Sequence, residues 1–264
     1  MKALILAAGF GTRLEKEIKR DTSGEYNHLI AAPKPLLPIA GKPLINYWME
    51  RFGGCEEIDA TYVVVNGSNY ASFKKWAREC NFPYGKANLV NNGRMSNETR
   101  LGAIADIALV VREKEIDDDL LVVGGDTLFY PDFNLKEVIA DFYRRNGEII
   151  TCYLVSDGEV QKRGILERSS EGRVVGFLEK PSLQQTASRL ASPPFYIYRR
   201  ETLSLLETYL RQAGSLEERD APGRFVSWLY QRVPVYAFEI SGRFDVGGLQ
   251  DYRKADEFFK RAIS

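Results

Sequence analysis

The chain has 264 residues, and its 36 lysines and arginines balance its 36 aspartates and glutamates, so the formal net charge is zero. Nucleic-acid-binding proteins usually carry a basic excess, and this balance argues against that class. A single histidine, His28, excludes a multi-histidine metal site. Three well-separated cysteines predict neither a disulfide framework nor a zinc site.

Unbroken apolar runs alternate with amphipathic stretches along the first part of the chain. The runs predict buried parallel strands, and the stretches with apolar residues at helical spacing predict helices. The predicted strands are residues 2–8, 59–66 and 119–125, and the predicted helices are residues 98–113 and 134–145. None of the runs is long enough to span a membrane, so we expect a cytoplasmic protein without membrane contact.

The pattern changes after residue 147. Strands are predicted at residues 148–155, 164–168, 173–178, 195–198 and 233–240, helices at 201–211 and 222–231, and a closing helix from Leu249. The succession of βαβ units predicts a single α/β domain with a doubly wound, mostly parallel mixed sheet. Its nucleotide-binding half would cover residues 1–147 and its acceptor-binding half residues 148–264.

A glycine-rich loop follows the first predicted strand directly. Gly9 and Gly11 allow a backbone to approach a triphosphate, and Arg13 offers a two-pronged donor for phosphate. The glycines alone are equally typical of an ordinary strand-to-helix turn. The loop is neither a P-loop, which needs a following Gly-Lys-Ser/Thr, nor a Rossmann fingerprint, because Leu14 stands at the third glycine position.

A proline-rich segment, Pro33-Lys34-Pro35-Leu36-Leu37-Pro38, comes next. Prolines restrict the backbone and so hold Lys34 in one direction. Together with Gly9-x-Gly11-Thr12-Arg13-Leu14, this segment resembles the signature of sugar-1-phosphate nucleotidyltransferases, a family with a Rossmann-like fold. Glucose-1-phosphate thymidylyltransferases and uridylyltransferases and mannose-1-phosphate guanylyltransferases belong to it.

The resemblance implies a nucleotide site at the first loop. Arg13 and Lys34 would be catalytic. The residues expected to bind the nucleotide are Leu6, Ala8, Gly9, Gly11, Thr12, Asn97, Leu101 and Gly102. The segment before residue 101 would read the base, but Asn97 is also a good helix N-cap residue, and both roles stay open.

The resemblance also implies a metal and an acceptor site. Asp126, in Gly124-Gly125-Asp126, and Asp245, in a stretch similar to the family's Trp-x-Asp-x-Gly-Thr, would bind Mg²⁺. Gly164, Glu179 and Lys180 would bind the sugar phosphate. Arg163 replaces the family's aromatic residue, and it either reads an extra charge on the acceptor or faces solvent.

A charged insertion separates the two nucleotide motifs. Residues 15–31 contain many charges and few apolar residues, and we expect either a mobile lid over the site or a disordered surface loop. In the lid, Lys16, Lys19 and Arg20 would face the triphosphate, while Glu15, Glu17 and Asp21 would stay in solvent.

These features predict an enzyme that transfers a nucleoside monophosphate from a nucleoside triphosphate to a sugar 1-phosphate and releases pyrophosphate. Its partners would be these two substrates and Mg²⁺, with no nucleic acid, and it would form a homo-oligomer. Two alternatives are a cytidylyltransferase for a non-sugar acceptor such as phosphocholine and a non-catalytic homologue that binds nucleotide sugars.

Overall fold

The computed structural model describes residues 1–80 and 87–263. The strands are β1 (Lys2–Ala7), β2 (Pro38–Ile39), β3 (Lys42–Pro43), β4 (Ala60–Val65), β5 (Ala87–Asn91), β6 (Leu120–Gly124), β7 (Thr127–Phe129), β8 (Glu148–Leu154), β9 (Gly164–Arg168), β10 (Val174–Glu179), β11 (Leu190–Ser192), β12 (Phe195–Tyr198), β13 (Val235–Glu239) and β14 (Arg243–Asp245). The helices are α1 (Thr12–Arg20), α2 (Leu44–Gly53), α3 (Tyr70–Glu79), α4 (Ala103–Glu113), α5 (Leu135–Arg144), α6 (Asp157–Val160), α7 (Leu203–Gln212), α8 (Leu216–Asp220), α9 (Pro222–Leu229) and α10 (Leu249–Ile263).

One large mixed sheet organises the chain. Its strand order is β10-β9-β11-β8-β12-β6-β1-β4-β5, and β13 pairs with β8. Parallel pairing joins β1 to β4 and β6, whereas β12 runs antiparallel between β6 and β8. The predicted α/β fold with a doubly wound, mixed and mostly parallel sheet is confirmed.

Both faces of the central strand β1 are buried. Ile5 packs on one side with Trp48 and Tyr252, in a core that α2, α5 and α10 cover. Leu4, its neighbour, packs on the other side with Ile104 in a core that also contains residues of α7 and α9. Successive side chains of a strand point to opposite faces, which explains why an unbroken apolar run is needed here.

Helix α4 and strand β5 differ from the predictions for physical reasons. Helix α4 begins at Ala103 instead of residue 98, because Gly102 has φ +94° and a short 3₁₀ turn, Asn97–Thr99, precedes it. Strand β5 was not predicted because it lies at the edge of the sheet, and only Val90 of its five residues is fully buried. An edge strand needs no continuous apolar run.

A short ladder outside the main sheet joins the two halves of the sequence. Strands β7 and β14 pair antiparallel, with Asp245 opposite Thr127. In the part of the chain that the structure describes, no helix is both long and apolar enough to cross a membrane.

Candidate active site

Asp126 follows β6 at the carboxyl end of the sheet, where open α/β sheets bind ligands. The preceding Gly125 donates its N–H to the Leu6 carbonyl at 2.9 Å. A Cβ on Gly125 would lie 2.7 Å from that carbonyl oxygen and 2.9 Å from Cγ of Pro35. Only glycine therefore lets the proline segment pack against the strand end, and Nζ of Lys34 reaches 3.6 Å from Oδ2 of Asp126.

The β7–β14 ladder brings the second predicted carboxylate to the first. The N–H of Val246 donates to the Asp126 carbonyl at 2.9 Å, so Asp245 and Asp126 are neighbours. Burial and the negative charge of Asp245 together raise the pKa of Asp126. Two carboxylates that repel each other in this way form a natural site for a cation.

Two arginines surround Asp245. Nη2 of Arg243 lies 3.3 Å from Oδ2 of Asp245, and Nη1 of Arg163 donates to the same oxygen. Burial alone would raise the pKa of Asp245, but the charges of these arginines outweigh burial and lower it. Nη2 of Arg163 also contacts Glu159 at 3.0 Å. The solvent-facing interpretation of Arg163 was wrong, because its guanidinium is engaged by two carboxylates and only 21% of its side chain is exposed. Its contact with a charge on the acceptor stays a prediction.

The buried Asn66, which the sequence analysis missed, holds the glycine loop in place. Asn66 is fully buried, and its Nδ2 donates to the carbonyls of Ala8 at 3.0 Å and Gly9 at 3.3 Å. Gly11 has φ +66° and stands directly before α1, whose first residue is Thr12. Asn66 could have been identified in the sequence as a polar residue at the end of a buried apolar run.

The insertion is a folded part of the site, so the expectation of a disordered surface loop was wrong, whereas closure as a lid stays a prediction. Leu14, Ile18 and Leu29 are buried, which anchors α1 and the turn after it. Two of the predicted solvent-facing carboxylates are tied to α10: Oε2 of Glu17 accepts from the Leu249 N–H at 2.8 Å. Similarly, Oδ1 of Asp21 accepts from Nη2 of Arg253 at 3.3 Å.

Gly248, the departure from the family's threonine, has a local explanation. A Cβ at this position would lie 2.4 Å from Oε2 of Glu17. The glycine leaves room for a carboxylate at the N-terminus of α10, where negative charge is favourable. The same Glu17 accepts from Nε of Arg13 at 3.1 Å, so the insertion orients the predicted catalytic arginine.

A polar cleft of about 870 Å³ lies between the two halves of the sequence. It is lined by Arg13, Glu17, Glu159, Gln161, Lys162, Arg163, Lys180, Asp245, Gln250, Asp251 and Lys254. Lys180 has φ +51°, and its N–H donates to the Arg163 carbonyl at 2.9 Å. The cleft therefore joins one predicted metal ligand to the predicted acceptor lysine and to Arg13.

Glu179 lies in a close-packed corner made by two glycines. A Cβ on Gly223 would lie 2.3 Å from Oε2 of Glu179, and one on Gly164 would lie 3.1 Å from it. Burial raises the pKa of Glu179, although Lys180 and Arg224 oppose the shift. The described residues donate no hydrogen bond to this carboxylate, and its contact with sugar hydroxyls stays a prediction.

The predicted base-reading segment packs against α8. A Cβ on Gly102 would lie 2.7 Å from the backbone of Arg219, so this glycine is required for contact between α4 and α8. Nε of Arg100 contacts Asp220 at 3.0 Å, and its Nη1 donates to the Asn97 carbonyl at 2.8 Å. Neither Asn97 nor the partly exposed Leu101 caps α4, which begins after Gly102. Their contact with the base stays a prediction.

The carboxylate pair fits a divalent cation such as Mg²⁺. Within residues 1–80 and 87–263, no cluster of three or more histidines, cysteines or acidic residues could hold a metal ion. Mg²⁺ needs no such cage, since it is usually bound by one or two carboxylates together with phosphate oxygens and water. Asp126 and Asp245 supply the carboxylates, and a bound triphosphate would supply the phosphate oxygens.

A family model described as nucleotidyl transferase matches residues 2–262 of the chain. The chain belongs to the nucleotidyl transferase family. Family membership agrees with the resemblance seen in the sequence motifs, whereas the roles of the individual site residues stay predictions.

Several known proteins are similar over most or all of the chain. Identity is 28% over 273 residues with the UTP–glucose-1-phosphate uridylyltransferase YngB of Bacillus subtilis, covering 93% of this chain and 84% of that protein. With the bifunctional protein GlmU of Methanococcus maripaludis, identity is 24% over 265 residues, and all of this chain matches 55% of that protein. The chain thus spans about half the length of the GlmU relatives.

Solved structures of similar proteins share the fold. UDP-glucose pyrophosphorylase complexed with UDP-glucose has a TM-score of 0.77 at 19% identity, covering 99% of this chain and 98% of that chain. A putative glucose-1-phosphate thymidylyltransferase from Bacillus anthracis has a TM-score of 0.78 at 17% identity, covering 98% of this chain and 95% of that one.

Proposed function

We propose that the protein transfers a nucleoside monophosphate from a nucleoside triphosphate to a sugar 1-phosphate, giving a nucleotide sugar and pyrophosphate. One observation carries the proposal: the neighbouring carboxylates Asp126 and Asp245, with Lys34 beside them, adjoin a cleft that also contains Arg13 and Lys180. Cations and carboxylates in this arrangement suit two phosphate-bearing substrates.

In this reaction an oxygen of the sugar phosphate attacks the α-phosphorus, and pyrophosphate leaves. The attacking phosphate is already ionised near neutral pH, so no general base is needed, and the lone exposed His28 is not required. Catalysis rests on alignment and on neutralising charge. Lys34 and Arg13 withdraw charge from the triphosphate, Lys180 holds the acceptor phosphate, and Glu179 accepts hydrogen bonds from sugar hydroxyls.

The cofactor we propose is Mg²⁺. Asp126 and Asp245 would hold it. When bound, it would neutralise phosphate charge at the reacting end of the two substrates. The closed environment raises the strength of these electrostatic contacts, since both carboxylates are partly removed from water.

The names of similar proteins indicate which substrates to test first. YngB is named as acting on UTP and glucose 1-phosphate, so we propose a uridine nucleotide and a hexose 1-phosphate as the leading pair. The regulatory alternative is disfavoured because Arg13, Lys34, Asp126 and Asp245 are all present. A cytoplasmic location and a homo-oligomer stay predictions.

A matrix of nucleoside triphosphates against sugar 1-phosphates, read by pyrophosphate release, tests this function. We expect release that requires both a triphosphate and a sugar 1-phosphate. Phosphocholine with CTP belongs in the same matrix. Release with that pair alone would replace the sugar assignment, and no release with any pair would refute the enzyme.

A further inference from the structure

Two arginines converge on one oxygen of Asp245. Nη1 of Arg163 and Nη2 of Arg243, the latter at 3.3 Å, both donate to Oδ2. Within the described residues, no group donates a hydrogen bond to Oδ1. The carboxylate is therefore held from one side only, and its second oxygen stays available.

Both arginines depart from the pattern that the motifs resemble. Arg163 stands where the family usually has an aromatic residue, and Arg243 stands where the Trp-x-Asp pattern has tryptophan. Two departures far apart in the sequence thus meet at one carboxylate.

Each arginine is also fixed at its other end. Arg243 is only 5% exposed, and it contacts the Tyr153 hydroxyl and Oγ1 of Thr127, each at 3.3 Å. Arg163 contacts Glu159 at 3.0 Å. Because guanidinium groups are planar and their donors point in fixed directions, a pair anchored in this way restricts the orientation of Asp245.

We propose that Arg163 and Arg243 are positioning residues that hold Oδ2 of Asp245, present Oδ1 to the divalent cation, and make cation binding depend on the triphosphate. The proposal rests on the proposed function, since it concerns the same cation. Neither arginine needs to touch a substrate.

The dependence on triphosphate follows from the local charges. Three carboxylates, Asp126, Asp245 and Glu159, face three cationic groups, Lys34, Arg163 and Arg243. These charges balance, so a divalent cation on its own meets no net attraction. A bound triphosphate makes the local charge negative, and the cation then binds with it.

Retention of Mn²⁺ by the intact protein in ultrafiltration tests the proposal without relying on turnover. Mn²⁺ is measured alone and with inorganic tripolyphosphate, which carries the charge of a triphosphate but no base. We expect the wild-type protein to retain Mn²⁺ at least about tenfold more tightly with tripolyphosphate than without it. Equal retention in both conditions would overturn the charge argument.

Arg163→Gln removes one positive charge and the second donor to Oδ2. We expect it to bind Mn²⁺ alone at least about threefold more tightly than the wild type, because the local charge then becomes negative. Its kcat should nevertheless fall about tenfold or more while the acceptor KM changes less than about twofold, because Asp245 loses its fixed orientation. Arg163→Lys keeps the charge, and its Mn²⁺ affinity should match the wild type while kcat falls.

Arg168→Gln is the matched control, since Arg168 pairs with Glu239 of β13 and neither residue lines the cleft. It should leave Mn²⁺ retention and kcat unchanged. If Arg163→Gln instead raises the acceptor KM and leaves kcat unchanged, Arg163 binds the acceptor and the proposal is wrong. Wild-type protein without pyrophosphate release would refute the proposed function, and the Mn²⁺ comparison would still decide the role of the arginines.

Discussion

Replacing Gly248 by alanine should destabilise the protein through Glu17. The new Cβ would lie 2.4 Å from Oε2 of Glu17, and the flexible carboxylate must therefore move. It would then lose its 2.8 Å bond from the Leu249 N–H at the start of α10. Losing an N-terminal cap costs about 1 kcal/mol, within a range of about 0.5–2 kcal/mol.

A double-mutant cycle separates this mechanism from a general packing defect. Glu17→Ala alone should cost about 1–2 kcal/mol, because a charge-assisted bond to a backbone N–H is lost. In the Glu17→Ala background, Gly248→Ala has nothing to displace, and it should be neutral or stabilise by up to about 0.5 kcal/mol through the unfolded state. The expected coupling energy is therefore about 1 kcal/mol.

Urea denaturation at pH 7 gives the free energy of unfolding of the four proteins of the cycle. The bond to Leu249 lowers the pKa of Glu17 below its ordinary 4.5, so the contribution of Glu17 is fully present at pH 7 and is lost only as pH falls through the lowered value. Additive costs at the two positions would refute the displacement mechanism, and so would a neutral Gly248→Ala.

Three further predictions concern the acceptor, the core and the base-reading segment. Lys180→Ala should weaken sugar 1-phosphate binding about tenfold to a hundredfold, because a charge-assisted hydrogen bond to the phosphate is lost. The KM values of the two substrates measure this effect, and equal weakening of triphosphate binding would contradict the assignment. Burial raises the pKa of Glu148 from 4.5 to about 7, so stability should fall as pH rises between these values. Glu148→Gln should flatten that slope in urea denaturation; an unchanged slope would exclude Glu148 as its source. Gly102→Ala should destabilise the protein by more than about 1 kcal/mol and raise the triphosphate KM, because Gly102 has φ +94° and the new Cβ would lie 2.7 Å from the backbone of Arg219. An unchanged melting temperature would contradict this prediction.

Much of the fold followed from local patterns in the sequence. Strands β1, β4 and β6 are buried on both faces. Burial on both faces requires an unbroken apolar run, which can be recognised in the sequence of each strand alone. Residues such as Asp126 could be located because they directly follow such a run. Strand β5 gave no comparable signal, since its position at the sheet edge leaves most of it partly exposed.

The tertiary part of the site could not be predicted in the same way. Glu17 looked like a solvent-facing charge because its partner, the Leu249 N–H, is distant in the sequence. Arg163 and Arg243 meet at Asp245 only because the β7–β14 ladder and the start of β9 converge. Contacts of this kind depend on chain topology, and neither periodicity nor residue type encodes them locally.

The fate of the α-phosphate tests the central claim most directly. Protein is incubated with Mg²⁺, a sugar 1-phosphate and a nucleoside triphosphate labelled with ³²P at the α-position, and the products are separated. The account predicts that the label enters a nucleotide sugar, that the pyrophosphate is unlabelled, and that Asp126→Asn and Asp245→Asn abolish the transfer while the variants remain folded. Label that is released as free nucleoside monophosphate regardless of the acceptor, or transfer that survives both substitutions, would contradict it.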